Sequence, residues 1–196
     1  MSLEQPSINL LVEGRVDEVV LKRLVQDAGL QLGNVYGGRG KEYLLANLGK
    51  YNQAARHGSF WVALVDLNNS AECAPLFIQK YLPQPAQHLC LRVAVRQIEA
   101  WLLADREKIA DFLGVPISRI PLEPETLPDP KLTLISLARK NRKKHLREDI
   151  VPRLGSGAKV GPLYVSRVTE FVRNEWRPEV AAQQADSHEE TDAREK

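Results

Sequence analysis

Cysteine is scarce. Cys73 and Cys90 are the only two in 196 residues. They form no CxxC pair, which excludes a cysteine-built zinc site and a disulfide framework and favours a reducing, cytoplasmic setting. The four histidines, His57, His88, His145 and His188, are scattered without metal-ligand spacing. No apolar run approaches the roughly 20 residues that a membrane helix requires. The opening MSLEQPSINLL has neither the basic segment nor the long apolar segment of a secretory signal. An excess of either charge is also nearly absent, with 27 Lys and Arg against 25 Asp and Glu. The net charge of +2 does not by itself mark a nucleic-acid binder, so any such partner has to be met by a local patch.

What is present suits a soluble globular chain: 43% hydrophobic and 27% charged residues, long enough to bury a real core. INLLV (8–12) is a nearly continuous apolar run of the kind found in strands buried on both faces of a parallel sheet. Val16, Val19, Val20, Leu24 and Val25 then recur at helical spacing, with Gly29 as the stop. NVYGGRGKEYLLANLGKY reads as a short strand, a glycine-rich turn and a second helix. FWVALVD (60–66) is the clearest strand and runs into the turn-rich LNNS. A short helix around 74–81 and a fourth strand, HLCLRVAV (88–95), follow. Strands alternating with helices imply an α/β fold, a three-layer sandwich around a mainly parallel four-stranded sheet.

Beyond Val95 the pattern changes. One amphipathic helix is expected over Glu99–Leu113, with Trp101 in its core face, stopped by Gly114. A proline-rich loop follows, then two or three helices over 131–175. The expected organisation is an α/β domain over 1–100, a helical extension over 101–178 packed on it, and a polar, disordered tail over 179–196.

Ligands of an open parallel sheet collect outside the carboxyl ends of its strands. Glu13 lies just past the first strand, Asp66 ends the third, Asn68 is two residues on, and Glu99 lies just past the fourth. Oxygen donors gathered at one edge suit Mg²⁺ or Mn²⁺, which keep several waters and take few protein carboxylates. Such a cation polarises a phosphate. Plainer readings stand beside this one. Glu13 and Asp17 complement the dipole of the first helix, Asn68 belongs to an ordinary turn, and Glu99 caps the helix after it. GGRGKEY (37–43) is either a strand-to-helix turn or a phosphate grip through Arg39 or Lys41. It lacks the spacing of a P-loop. SGAKVG (156–161) repeats the theme around Lys159. ARKNRKKHLRED (138–149) is a solvated helix face or a basic stripe for a phosphate backbone. No aromatic residues interleave with it, so base stacking is not indicated there.

Glu13, Gly14 and Asp17 after the first strand, with VALVDLN at a later one, resemble the Toprim fold of topoisomerases, DnaG-type primases, RecR proteins and OLD-family nucleases. The resemblance covers roughly 7–100. AVRQIEAWLLADREKIADFLG, LPDPK and GSGAKVGPLYVSRVTEFV extend it to about Pro178, as a Toprim-like family of prokaryotic proteins. It implies Glu13 as metal ligand or general acid/base, Asp66 as principal ligand and Glu99 as supporting carboxylate. The second aspartate of the Toprim pair falls on Asn68, a neutral and weaker ligand. Lys41, Lys131 and Lys159 are the candidate phosphate contacts. The implied activity is Mg²⁺- or Mn²⁺-dependent cleavage or transfer of nucleic-acid phosphodiesters. Two alternatives are a weakened module that binds nucleic acid or a protein partner without cleavage, and an enzyme of a small phosphorylated molecule. A homodimer is left open.

Overall fold

The computed structural model describes residues 6–68, 73–141 and 143–183. The chain divides into two compact units, Met1–Val95 and Arg96–Lys196, so the boundary comes slightly ahead of the expected one at residue 100.

The first unit alternates β1 (Ser7–Val12), α1 (Arg15–Asp27), β2 (Gln31–Gly37), α2 (Lys41–Arg56), β3 (Phe60–Asp66), α3 (Ala74–Tyr81) and β4 (Leu89–Ala94). All four strands are parallel, in the order β2-β1-β3-β4. The apolar run of β1 reflects its central place. Leu10 and Leu11 are 0% exposed and Val12 is 2% exposed. Leu11, Ala63 and Val65 share a buried cluster with Leu44, Leu48 and Tyr51 of α2 and Phe77 of α3. Helix α1 lies outside that cluster and packs on β1 and β2, burying Val19, Val20, Leu21 and Val25. Each fully buried leucine contributes about 1.5–3 kcal/mol, so these faces outweigh any single polar contact. The result is the expected three-layer α/β sandwich, with a sheet that is wholly rather than mainly parallel.

The strand order places the functional edge. The chain leaves β1 sideways for β2, then steps back across β1 to β3. Right-handed crossovers put the two connecting helices on opposite faces. Between the carboxyl ends of β1 and β3 the order reverses, the position where ligands of open α/β sheets collect. Glu13 follows β1 and Asp66 ends β3, so both stand at that point.

The second unit is helical: α4 (Ile98–Ala104), α5 (Arg106–Leu113), short 3₁₀ turns at Ile117–Arg119 and Pro124–Thr126, α6 (Pro130–Ala138), α7 (Lys144–Ile150) and α8 (Tyr164–Asn174). The single helix expected over Glu99–Leu113 is two helices, broken at Asp105 (φ −78°, ψ 71°). The cause is a buried carboxylate. Asp105 is 0% exposed, caps α5 by accepting from the Lys108 N–H at 3.4 Å, and accepts the Arg177 N–H at 3.0 Å and its guanidinium at 2.6 and 3.1 Å. Those bonds, with a second carboxylate from Glu107, raise the Arg177 pKa above the usual arginine range. The same clamp corrects the reading of the tail. Trp176 is 2% exposed and donates its indole N–H to the Trp101 carbonyl at 3.2 Å. Residues 178–183 continue as helix, with Ala181 buried. The rest of the expected tail, 184–196, lies outside the described residues.

The basic run is divided among the end of α6, a loop and the start of α7, so it does not form one helix face. Asn141, 1% exposed, holds that loop by accepting the Lys143 N–H at 2.6 Å. Arg139, Lys140, Lys143 and Lys144 are exposed. Arg142 lies outside the described residues. Among the described residues no helix is long and apolar enough to cross a membrane.

Candidate functional site

The carboxyl edge of the first unit is assembled by main-chain hydrogen bonds before any side chain contributes. The Gly38 N–H donates to the Val12 carbonyl at 2.8 Å, and the Gly40 N–H to the Glu13 carbonyl at 2.9 Å. The loop after β2 is thereby laid across the end of β1, which brings the start of α2 beside Glu13. Gly37 makes this close approach feasible. Its φ is +93°, and a side chain there would run into the Val12 carbonyl. GGRGKEY is thus a strand-to-helix turn, fastened to the site.

Glu13 and Asp66 are directly linked: Glu13 Oε1 accepts the Asp66 main-chain N–H at 2.8 Å. Asp66 is 8% exposed, so its carboxylate sits at the rim in a largely desolvated position. Lys41, in the first turn of α2, reaches the same place. Its Nζ donates to the Asp66 carbonyl and, at 3.3 Å, to the Leu67 carbonyl, and lies 4.7 Å from the centre of the Phe77 ring. An ammonium group is therefore fixed on the main chain at the end of β3. Asn68 follows with a left-handed backbone (φ +55°), a conformation that asparagine tolerates better than most residues. Asp17 takes the plainer of its two readings. It is 7% exposed and accepts the Gly14 N–H at 2.9 Å, closing the N-terminal cap of α1.

Glu99 and Lys131, both in the second unit, are used on each other. Glu99 is 0% exposed and accepts the Tyr164 hydroxyl at 2.8 Å, while Lys131 Nζ stands 3.3 Å from the same oxygen. The Lys131 main-chain N–H is held by the Gln97 side chain at 3.0 Å. The other Glu99 oxygen is buried and has no hydrogen-bond partner among the described residues. Lys159 is exposed in the glycine-bearing turn before α8, where Gly155 and Gly157 have positive φ. Glu13 and Asp66 come together, Glu99 is engaged by Tyr164 and Lys131, and among the described residues no three His, Cys, Asp or Glu are grouped to hold a metal ion.

Glu13, Asp66 and Asn68, all at or just past the carboxyl ends of β1 and β3, are residues with hard-oxygen donors. That set suits Mg²⁺, which takes one or two carboxylates and completes its shell with water and substrate oxygens. Sequence reasoning missed Tyr164 as the partner of Glu99, and it missed the use of Lys41 on the Asp66 carbonyl. The one available signal for Lys41 was its position after a glycine turn at a strand's carboxyl edge. Compared with known proteins, the chain matches no family model, no curated sequence and no solved structure.

Proposed function

We propose that the protein is a cytoplasmic, Mg²⁺- or Mn²⁺-dependent enzyme that cleaves or transfers phosphodiester bonds of nucleic acid, as the resemblance to Toprim proteins implies. The observation that supports this reading is the hydrogen bond from the Asp66 main-chain N–H to Glu13 at the reversal of strand order, with the Lys41 ammonium on the Asp66 carbonyl. Asp66 is the principal donor to the cation, Asn68 adds a neutral oxygen, and the second oxygen of Glu13 serves as ligand or proton acceptor. The bound ion would supply Lewis-acid polarisation of a phosphoryl oxygen. Lys41 holds the main chain of Asp66 in place and adds positive potential where a phosphate approaches. Exposed Arg139, Lys140, Lys143 and Lys144 offer further sites for backbone phosphates.

The test is incubation of purified protein with end-labelled DNA and RNA, single-stranded and duplex, with Mg²⁺, with Mn²⁺ and with chelator. The expected result is metal-dependent cleavage that disappears in Asp66→Ala. Equal cleavage by wild type and Asp66→Ala would assign the activity to another site or a contaminant.

A second reading is favoured by Asn68, which supplies no charge, and by the use of one Glu13 oxygen on the Asp66 N–H. In it the site is catalytically weakened and the unit binds nucleic acid or a protein partner without cleavage. Binding that persists in chelator, with no cleavage under any metal, would select it.

A further inference from the structure

An aromatic strip runs along the β2 side of α2, in the same unit as Glu13 and Asp66. The rings of Tyr36, Tyr51 and Trp61 are mutually stacked at tilted angles, with centroids 4.7 to 5.7 Å apart. Tyr51 and Trp61 are each 7% exposed and belong to the core, whereas Tyr36 is 38% exposed. Tyr43 is half-buried and carries the Arg39 guanidinium over its ring at 5.0 Å. Positions 43 and 50, seven residues apart, share one face of α2, so the exposed Lys50 lies in line with Tyr43. Beneath it, the buried Trp61 indole N–H has no acceptor among the described residues, an unsatisfied donor of the sort that asks for an explanation.

The strip adjoins the loop that is fastened to the candidate site. Arg39 lies between Gly38 and Gly40, the two residues whose N–H groups are bonded to the carbonyls of Val12 and Glu13. A π-face with a part-exposed tyrosine at each end, flanked by Arg39 and Lys50, matches a strand whose bases are unpaired. Aromatic faces stack bases of any identity, and the cations meet the phosphates between them. A duplex hides its base faces and gains nothing from such a surface.

The geometry points to this strip as a track for single-stranded nucleic acid that delivers a phosphodiester to Glu13 and Asp66. The inference rests on the proposed function and narrows its substrate. Tyr36 and Tyr43 stack bases, and Arg39 and Lys50 contact phosphates.

The experiment uses fluorescein-labelled oligothymidylate and the corresponding blunt duplex, titrated with full-length protein in chelator and followed by anisotropy. Tyr36→Ala and Tyr43→Ala are expected to weaken single-strand binding by about 5- to 100-fold each, and Tyr36→Trp to retain it. Lys50→Glu, at an exposed position that the fold does not need, is expected to weaken binding and flatten its salt dependence. Wild-type affinity in both Tyr36→Ala and Lys50→Glu would overturn the inference, as would duplex binding as tight as single-strand binding. The two proposals fail differently. Strip variants that bind and cut like wild type, while Asp66→Ala does not cut, would remove the track and leave the Glu13–Asp66 reading intact. Strip variants that lose binding in a protein that cleaves with no metal would do the reverse.

Discussion

Glu13 accepts the main-chain N–H of Asp66 at 2.8 Å, so the residue just past β1 and the last residue of β3 hold one another at the carboxyl edge of the sheet. The bond separates structure from chemistry in a measurable way. Glu13→Gln keeps an acceptor oxygen and removes the charge. It is expected to leave the free energy of unfolding within about 0.5 kcal/mol of wild type while abolishing metal-dependent activity. Glu13→Ala leaves the Asp66 N–H unpaired at a part-buried position and is expected to cost about 1–3 kcal/mol. Urea unfolding alongside the cleavage assay checks both, and full activity in Glu13→Gln would remove Glu13 from the chemistry.

Adjacent glycines in the loop after β2 are expected to respond differently to the same substitution. At Gly37 the positive φ and the Val12 carbonyl both oppose a side chain, whereas a Cβ at Gly38 meets only open space. Gly38→Ala is therefore expected to cost about 1 kcal/mol from the left-handed backbone alone. Gly37→Ala is expected to cost clearly more, above about 2 kcal/mol, because the loop has to lift off β1. Chemical denaturation of the two variants compares them directly, and equal losses would mean that the close approach to Val12 is unimportant.

In the second unit, Glu99 is wholly buried between Tyr164 and Lys131. Tyr164→Phe removes the hydroxyl donor that reaches it and is expected to cost about 1–3 kcal/mol. Lys131→Met is expected to cost less, about 1 kcal/mol, since the ammonium-bearing side chain is 36% exposed and solvent screens it. Replacing the pair together, Glu99→Leu with Lys131→Met, is expected to recover most of the loss, because the buried charge and its counterion disappear at once. A double-mutant cycle measures this. A purely additive cycle would show that the two residues do not interact.

Burial pushes the Tyr51 hydroxyl above the ordinary tyrosine pKa, reinforced by the neighbouring Tyr43 and Tyr36 and opposed in part by Arg39. The neutral phenol is thus favoured in the folded state. Its contribution to stability is complete below the unfolded-state value near 10. It is lost as pH rises through the higher folded value, since the unfolded chain releases the proton first. Stability is expected to fall above about pH 10, and Tyr51→Phe to make that fall shallower. Thermal unfolding measured from neutral pH to pH 11 reads it directly. Parallel curves for wild type and Tyr51→Phe would exclude Tyr51 as a source of alkaline sensitivity.

The order of strands and helices in the first unit was legible because each element carries its own period. INLLV and FWVALVD are almost continuously apolar, as a strand buried on both faces requires, and glycines mark the ends of the intervening segments. The place of Glu13 and Asp66 followed from general topology, since residues just past parallel strands share an edge. The break at Asp105 was illegible, because the local pattern from Glu99 to Leu113 is helical throughout and the interruption is imposed by Arg177, far along the chain. Residues 179–183 were misread for the same reason. They open a segment that is polar as a whole, and Trp176 and Arg177, just ahead of them, are held by contacts that no local window contains. The aromatic strip was hidden because its rings come from β2, α2 and β3, where each reads as ordinary core.

The amino-acid sequence by itself determined the period of each element, the turns between them and hence the α/β class and its carboxyl edge, because backbone preference and hydrophobic spacing act over a few neighbouring residues. Only the tertiary structure decided which charges became partners. It gave Glu13 to the Asp66 main chain, Lys41 to the end of β3, and Glu99 to Tyr164 and Lys131. The energy of a buried polar group depends on which distant donor or acceptor the fold brings within hydrogen-bond reach, and that distance is a property of the folded chain.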